Sequence, residues 1–305
     1  MLKVTSRYPH QNTIKIEWNL GKRCNYDCSY CPASIHDNTS EHTDIEILKS
    51  VVDKLLTIGK PIRLSFTGGE PTVHPKFEEL INYCKNQGVS WISVTTNGTR
   101  KDEWYANLRV DQIVFSMHME YDVRRVLNTI VNVHEYFAGK VLVHVMAHQD
   151  HMERTRYIAG ALAASSIPHA VRRVRWTEGD HDVFDDMRYN FDDLKWVKEY
   201  EATVEANTVV WLNNEHAQLL YHANDMIKNH QNKFNGWTCT AGIESLMINW
   251  DGDVHRATCR VGGSLGNIYT GTFIAPGEPV TCDRNFCTCA ADIPLTKTSP
   301  AVVKE

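Results

Sequence analysis

The chain has 305 residues, 42% of them hydrophobic and 23% charged, and a formal net charge of −5. That length suffices for one large α/β domain and a smaller appendage, and the charge balance gives no global attraction to nucleic acid or an acidic membrane. No apolar run approaches the ~20 residues that span a bilayer, and the N-terminus MLKVTSRYPHQNT lacks the apolar core of a secretory signal. Nine cysteines in such a chain read as reduced metal ligands rather than disulfides, which places the protein in the cytoplasm.

Taken in order, Thr13–Leu20 alternates apolar and polar residues and predicts a strand. It runs into CNYDCSYC, with Cys24, Cys28 and Cys31 at C-x3-C-x2-C spacing. Thr43 and Glu46 then match a capping box for a helix that buries Ile45, Leu48, Val52 and Leu55 and stops at Gly59. Strand Ile62–Phe66 leads into Thr67-Gly68-Gly69-Glu70-Pro71. Pro75 opens a second helix, with Phe77, Leu80, Ile81 and Cys84 on one face and Gly88 at its end. Cys84 there reads as a buried structural thiol. Trp91–Thr95 is a third strand and ends in Thr96-Asn97-Gly98.

Strand Gln112–Met117, a helix through Val123–Phe137, strand Val141–Met146, a helix over 152–164 and strand Ala170–Trp176 continue the alternation. Repeated strand–helix units imply a parallel sheet with right-handed crossovers. Six units make a partial (β/α)6, TIM-like barrel rather than a closed one, with its chemistry at the C-terminal strand ends. CNYDCSYC, TGGEP, TNG, SMH and RVRW all fall at those ends. Residues 177–193 are acidic and aromatic and read as a loop or lid; Trp176, at the end of the preceding strand, and Glu178, Asp180 and His181 are candidate substrate contacts. Helices are expected at Asp192–Tyr200 and Glu215–His230, a hairpin at Ser245–Cys259, and a frayed tail from about 296. The domain boundary is set near residue 200, giving a barrel over 1–200 and a small cysteine-bearing domain over 201–305.

Three thiolates can hold three irons of a four-iron cluster and leave the fourth open, whereas ferredoxin-type sites use four cysteines per cluster. A zinc knuckle completed by a distant ligand, or a buried cysteine cluster, is the blander alternative reading of the triplet alone. His118, His144 and His148 stand at strand ends but read first as core or supporting histidines. Arg172, Arg173 and Arg175 could bind a substrate carboxylate or phosphate, or simply edge the sheet.

C-x3-C-x2-C with Tyr30 before its last cysteine, then GGEP, then TNG, on successive strands, resembles the radical S-adenosylmethionine (SAM) superfamily over roughly residues 13–176. The resemblance implies that Cys24, Cys28 and Cys31 bind a [4Fe–4S] cluster whose open iron chelates SAM. It implies that Gly68, Gly69, Glu70 and Pro71 meet the methionine amino group, that Tyr30 lies beside the adenine, and that Asn97 and Ser116 line the SAM pocket. It further implies reductive cleavage of SAM to a 5′-deoxyadenosyl radical that abstracts hydrogen from a substrate, with an electron donor such as flavodoxin or ferredoxin.

Cys239-Thr-Ala-Gly, Asp251-Gly252, Cys259 and Gly266-Asn267-Ile268 resemble the SPASM/twitch extension, which holds auxiliary iron–sulfur clusters. Cys282-x4-Cys287-x-Cys289 departs from the longer cysteine series of a full extension. Five cysteines cannot ligate two four-iron clusters, so one auxiliary cluster is expected. Cys239 and Cys259 are its first candidates, Cys287 and Cys289 the next, and Cys282 the last. A structural zinc site has the same thiolate donors. The short auxiliary series, and the 23 residues ahead of the first cysteine, lean toward a small-molecule substrate such as a sugar or nucleotide. A ribosomal peptide maturase is the alternative, and a non-catalytic zinc or iron–sulfur protein the second alternative.

Overall fold

The computed structural model describes residues 2–6, 12–174, 176–178, 181–183, 188–201, 208–213 and 216–300. It divides into two compact units. One is Trp18–Ser50 with Leu64–Val204; the other is Met1–Glu17 with Val51–Arg63 and Glu205–Glu305. The N-terminal residues and 51–63, expected with the barrel, group with the C-terminal segment instead.

The chain opens on strand β1 (Leu2–Ser6), which the sequence did not announce, and continues through β2 (Ile14–Asn19), helix α1 (Ile45–Leu56) and β3 (Ile62–Thr67). Asp44, rather than Thr43, caps α1: its carboxylate accepts from the Glu46 amide at 2.8 Å, while the Thr43 carbonyl is hydrogen-bonded to His74. Helix α2 (Phe77–Asn86) packs Phe77, Leu80, Ile81 and Cys84 inward, as their spacing predicts. Strand β4 (Trp91–Thr96), a short helix α3 (Asp102–Ala106) and β5 (Gln112–His118) follow, then α4 (Val123–Tyr136), β6 (Lys140–Ala147), α5 (Met152–Ala164) and β7 (His169–Arg173). The sheet order β2-β3-β4-β5-β6-β7 follows the chain. Strands β4 to β7 pair in parallel, and the open sheet is of the partial-barrel kind.

Side chains alternate faces along a strand. In β5, Ile113, Phe115 and Met117 are buried, while Ser116 and His118 share the opposite face. That face is where the strand ends can present polar groups. Strands β8 (Trp176–Glu178) and β9 (His181–Val183) pair antiparallel, Trp176 opposite Val183, at the start of the expected loop. Arg175 and Asp180 lie outside the described residues. Helix α6 (Phe191–Glu201) packs Trp196 against Tyr200 with ring centroids 5.0 Å apart and the rings tilted by 46°.

The other unit corrects two expectations. Strands β10 (Thr208–Asn213) and β11 (His216–His222) pair antiparallel, and among the described residues of the expected helix 215–230 only α7 (Ala223–Lys228) is helical. Within the tail expected to fray from about 296, Lys297–Thr298 forms the strand β17, and residues 301–305 lie outside the described residues. Strands β12 (Thr238–Cys239), β13 (Ser245–Ile248), β14 (Asp253–His255), β15 (Ser264–Asn267) and β16 (Val280–Thr281) precede it. A six-stranded sheet runs β11-β10-β1-β17-β12-β16. The expected hairpin is present as antiparallel β13 and β14, with β15 beside β14. No described helix is long and apolar enough to cross a membrane.

Candidate active site and second cysteine site

The cysteine loop is held in register by TGGEP. Leu20 N donates to Thr67 O (2.9 Å), Gly69 N to Gly21 O (2.8 Å) and Glu70 N to Arg23 O (2.9 Å), a ladder that ends one residue before Cys24. Both glycines are needed there. Gly68 has φ +116°, and a Cβ on Gly69 would lie 2.3 Å from Lys22 O and 2.4 Å from Arg23 O. Asp37 closes the loop from the other side, accepting from Cys24 N at 2.7 Å and donating to Lys22 O at 3.0 Å.

This loop and the ends of β3, β4 and β5 enclose a cavity of about 570 Å³, counted to its open mouth. Cys24, Cys28 and Cys31 line it together with Gly68, Gly69, Glu70, Asn97, Ser116 and Tyr30. Pro71 does not line it; it opens the 3₁₀ turn for which Glu70 is the cap. Tyr26, His36, Thr67, Thr95, Thr96 and His118 complete the wall. Tyr26 was in plain view inside CNYDCSYC, but nothing in its spacing distinguishes it from any loop aromatic. Its ring stacks on Tyr121 at 3.7 Å and 3°, a contact between segments 95 residues apart.

Burial pushes the Cys28 thiol up to about 12 and Cys31 to about 11, and raises Cys24 as well. Without a cation these sulfurs stay protonated, and metal binding must displace the protons. Donors already point at Cys24 Sγ: the Tyr26 amide at 3.3 Å and Asn97 Nδ2 at 3.9 Å. Such hydrogen bonds favour the thiolate and tune a cluster. Among the described residues no three His, Cys, Asp or Glu side chains converge on one metal-ion position. A cuboidal cluster does not ask for that convergence, since each thiolate takes a different iron. The donor set therefore fits a four-iron cluster with one iron left open.

Glu70 is 3% exposed. Its Oε1 accepts from Thr72 N (3.0 Å), Thr72 Oγ1 (2.6 Å) and Thr96 Oγ1 (2.8 Å), and its Oε2 from Asn97 N (2.6 Å). It thus bolts TGGEP to TTNG. Burial pushes its carboxyl up and these donors pull it back. Among the described residues no lysine or arginine forms an ion pair with it, so a ligand ammonium at the cavity would supply the missing counter-charge.

Tyr30 is tied to His118: its hydroxyl and Nδ1 are 2.6 Å apart, and Cys28 Sγ is 3.4 Å from the same nitrogen. Burial lowers His118 to about 4, so the ring is neutral. His148 caps the turn after β6, accepting from Asp150 N at 3.2 Å, and its Nε2 is 3.3 Å from Ser29 Oγ. That supporting role is the one its sequence position suggested. His144 is also lowered to about 4, by burial and then by Arg172.

A second, shallow cavity lies in the unit containing the C-terminal segment. Cys239, Cys259, Cys282 and Cys287 line it with Asp292, Arg284 and Lys297. Cys282, ranked last from sequence, is in the group, while Cys289 is not among the lining residues. Cys289 instead offers its carbonyl to Asp292 N (3.0 Å) and Ile293 N (3.1 Å). Burial raises Cys239, Cys259 and Cys287, Cys259 to about 11.

Residues 18–159 match the family described as the radical SAM superfamily. The match covers 142 of the 305 residues, just under half of the chain. The family binds a [4Fe–4S] cluster and SAM. The S-adenosylmethionine-dependent nucleotide dehydratase of Selenomonas ruminantium is 34% identical over 87 residues, 28% of this chain and 30% of its own length. The Fe-coproporphyrin III synthase of Methanosarcina barkeri is 36% identical over 88 residues, 28% of this chain and 22% of its own. The chain thus spans under a third of either relative. The structure of Streptococcus suis SuiB bound to S-adenosylmethionine superposes on 84% of this chain and 63% of its own with a TM-score of 0.58. At 16% identity that likeness concerns the fold alone.

Proposed function

We propose that the protein is a radical SAM enzyme with one auxiliary iron–sulfur cluster. The observation that carries the reading is the single cavity at the strand ends, walled by Cys24, Cys28 and Cys31 and by Gly68, Gly69, Glu70 and Asn97. When bound, cluster and SAM supply one-electron cleavage of the sulfonium to methionine and a 5′-deoxyadenosyl radical that takes hydrogen from a substrate C–H bond. The chain's own residues bind and orient. Cys24, Cys28 and Cys31 hold three irons, and Glu70 and the glycine backbone receive the ammonium of SAM. Tyr30, Asn97 and Ser116 shape the remainder of the pocket. Fixing SAM beside the open iron is a proximity effect. Cys239, Cys259, Cys282 and Cys287 hold the auxiliary cluster, and a flavodoxin or ferredoxin delivers the electron.

A small molecule such as a sugar or nucleotide is the favoured substrate, since the dehydratase relative acts on a nucleotide by its name. A peptide is the second reading. The SuiB fold extends over this chain well beyond residues 18–159, and SuiB has also been solved with its precursor peptide SuiA.

Anaerobic reconstitution tests the proposal. About eight irons per chain are expected, four to each cluster, with 5′-deoxyadenosine formed from SAM only when reductant is present. Replacing Cys24, Cys28 and Cys31 by alanine should leave about four irons and no cleavage. Zinc in place of iron, or no cleavage on reduction, would sink the reading.

A further inference from the structure

The second cavity holds a charge that four cysteines do not explain. Lys297 is 2% exposed and lines the cavity. Its ammonium donates to the carbonyls of Asp292 (2.8 Å), Ile293 (3.1 Å) and Leu295 (3.1 Å), and lies 5.1 Å from the centroid of the Phe234 ring. Three carbonyls satisfy its hydrogens; among the described residues no carboxylate forms an ion pair with it, Asp292 acting on it only at longer range, and a buried cation so placed is costly. The backbone of Lys297 pairs with Cys239 across β12 and β17, so the two side chains leave the sheet on the same face. Two other charged side chains line the same cavity. Asp292 is buried, and its Oδ2 accepts from the Cys259 amide at 3.3 Å. Arg284 is bound to Asp283 (3.2 Å) and to the Arg260 carbonyl (2.8 Å), with a side chain 43% exposed and therefore screened by water.

We propose that Lys297 is the counter-charge that sets the reduction potential of an iron–sulfur cluster held by Cys239, Cys259, Cys282 and Cys287. The inference rests on reading that cavity as a cluster site. Four thiolates make such a site net negative, and an added electron deepens the charge. A fixed ammonium in a low-dielectric wall is attracted more strongly to the reduced form, so Lys297 raises the potential. Asp292, where ionised, acts in the opposite sense. A lysine serving only to brace the 292–295 turn would have no such effect, and this separates the two roles.

The test uses the full chain carrying Cys24→Ala, Cys28→Ala and Cys31→Ala, so that only the second site can take iron. Iron and sulfide are assayed after anaerobic reconstitution, and the midpoint is read by a redox titration followed by electron paramagnetic resonance. Lys297→Met should keep its iron and move the midpoint negative. Lys297→Arg, which preserves the charge, should restore most of the shift. Asp292→Asn should move the midpoint positive. An unmoved midpoint in iron-loaded Lys297→Met overturns the proposal, and so do equal shifts in the Met and Arg variants. If Lys297→Met fails to load, Lys297→Gln, which keeps an N–H donor for the carbonyls without the charge, decides: an unmoved midpoint overturns the proposal. If the parent takes zinc or no iron, the cluster reading fails and this inference falls with it.

Discussion

Glu70 has two tasks that pull against each other. As a clamp it takes hydrogen bonds from Thr72, Thr96 and Asn97; as a cavity residue it presents a buried carboxylate without a cation beside it among the described residues. The clamp alone has a measurable signature in the iron-free chain. Glu70→Ala strips the acceptor from the buried amides of Thr72 and Asn97, and each such loss costs about 1–3 kcal/mol. The variant should therefore unfold about 3 kcal/mol more easily in a denaturant titration. Glu70→Gln should not rescue it fully. Its oxygen can replace Oε1, but its NH2 then faces the Asn97 amide, donor against donor. A Glu70→Ala chain as stable as the parent would show that the carboxylate clamps nothing and serves a ligand alone.

At the scale of elements, the cysteine loop borrows its shape from its neighbour. The ladder between residues 20–23 and 67–70 works only because Gly69 lets two carbonyls come within contact of its Cα side. Gly69→Ala should push the strands apart, with little effect on the second cavity. Iron per chain should fall by about half after reconstitution, one four-iron cluster of two, and SAM cleavage should stop. Full iron loading would mean that the ladder does not position the cysteines. The barrel strands and helices were legible because their signals are local: alternation at 14–19 and 112–118, helical spacing at 77–84 and 123–133. The motifs were legible because they stand at those strand ends. The rest was not, and for a reason of distance. Strand β1 finds its partners at 209–213 and 297–298, and two-residue strands such as β12 and β17 have no periodicity to read. HAQLLYHANDMIK carries helix-compatible residues throughout, yet pairing with β10 drew its first half into a strand, the usual victory of tertiary context over propensity. Cys282 was ranked last because spacing does not reveal that strand β16, which precedes it, returns beside Cys239.

Over the whole molecule, the two cysteine sites stand on different foundations. The first sits at the ends of a sheet whose strands bury Phe66, Val94, Phe115 and Val143 completely. The second has little apolar support of its own. One small cluster contains Val209, Met226, Phe234 and Ile293 with Cys282 and Cys287; another contains Ala241, Ala257, Val261 and Leu295 with Cys239, and Cys259 packs against it. Each small core thus sends two cysteines to the same cavity. A cluster gripping all four would staple the two cores together, as small domains with limited burial require. Iron removal should therefore loosen this unit by several kcal/mol, the scale at which metal binding contributes to folding, and leave the parallel sheet intact. Hydrogen exchange checks this residue by residue. In the iron-free chain the amides of Cys282 and Cys287, bonded to Trp237 O and Asn232 O, should exchange orders of magnitude faster. Those of Ile113–Met117 should stay protected. Unchanged protection at Cys282 and Cys287 would show that the two cores hold together without metal, and that the second site serves electron transfer or substrate binding rather than the fold.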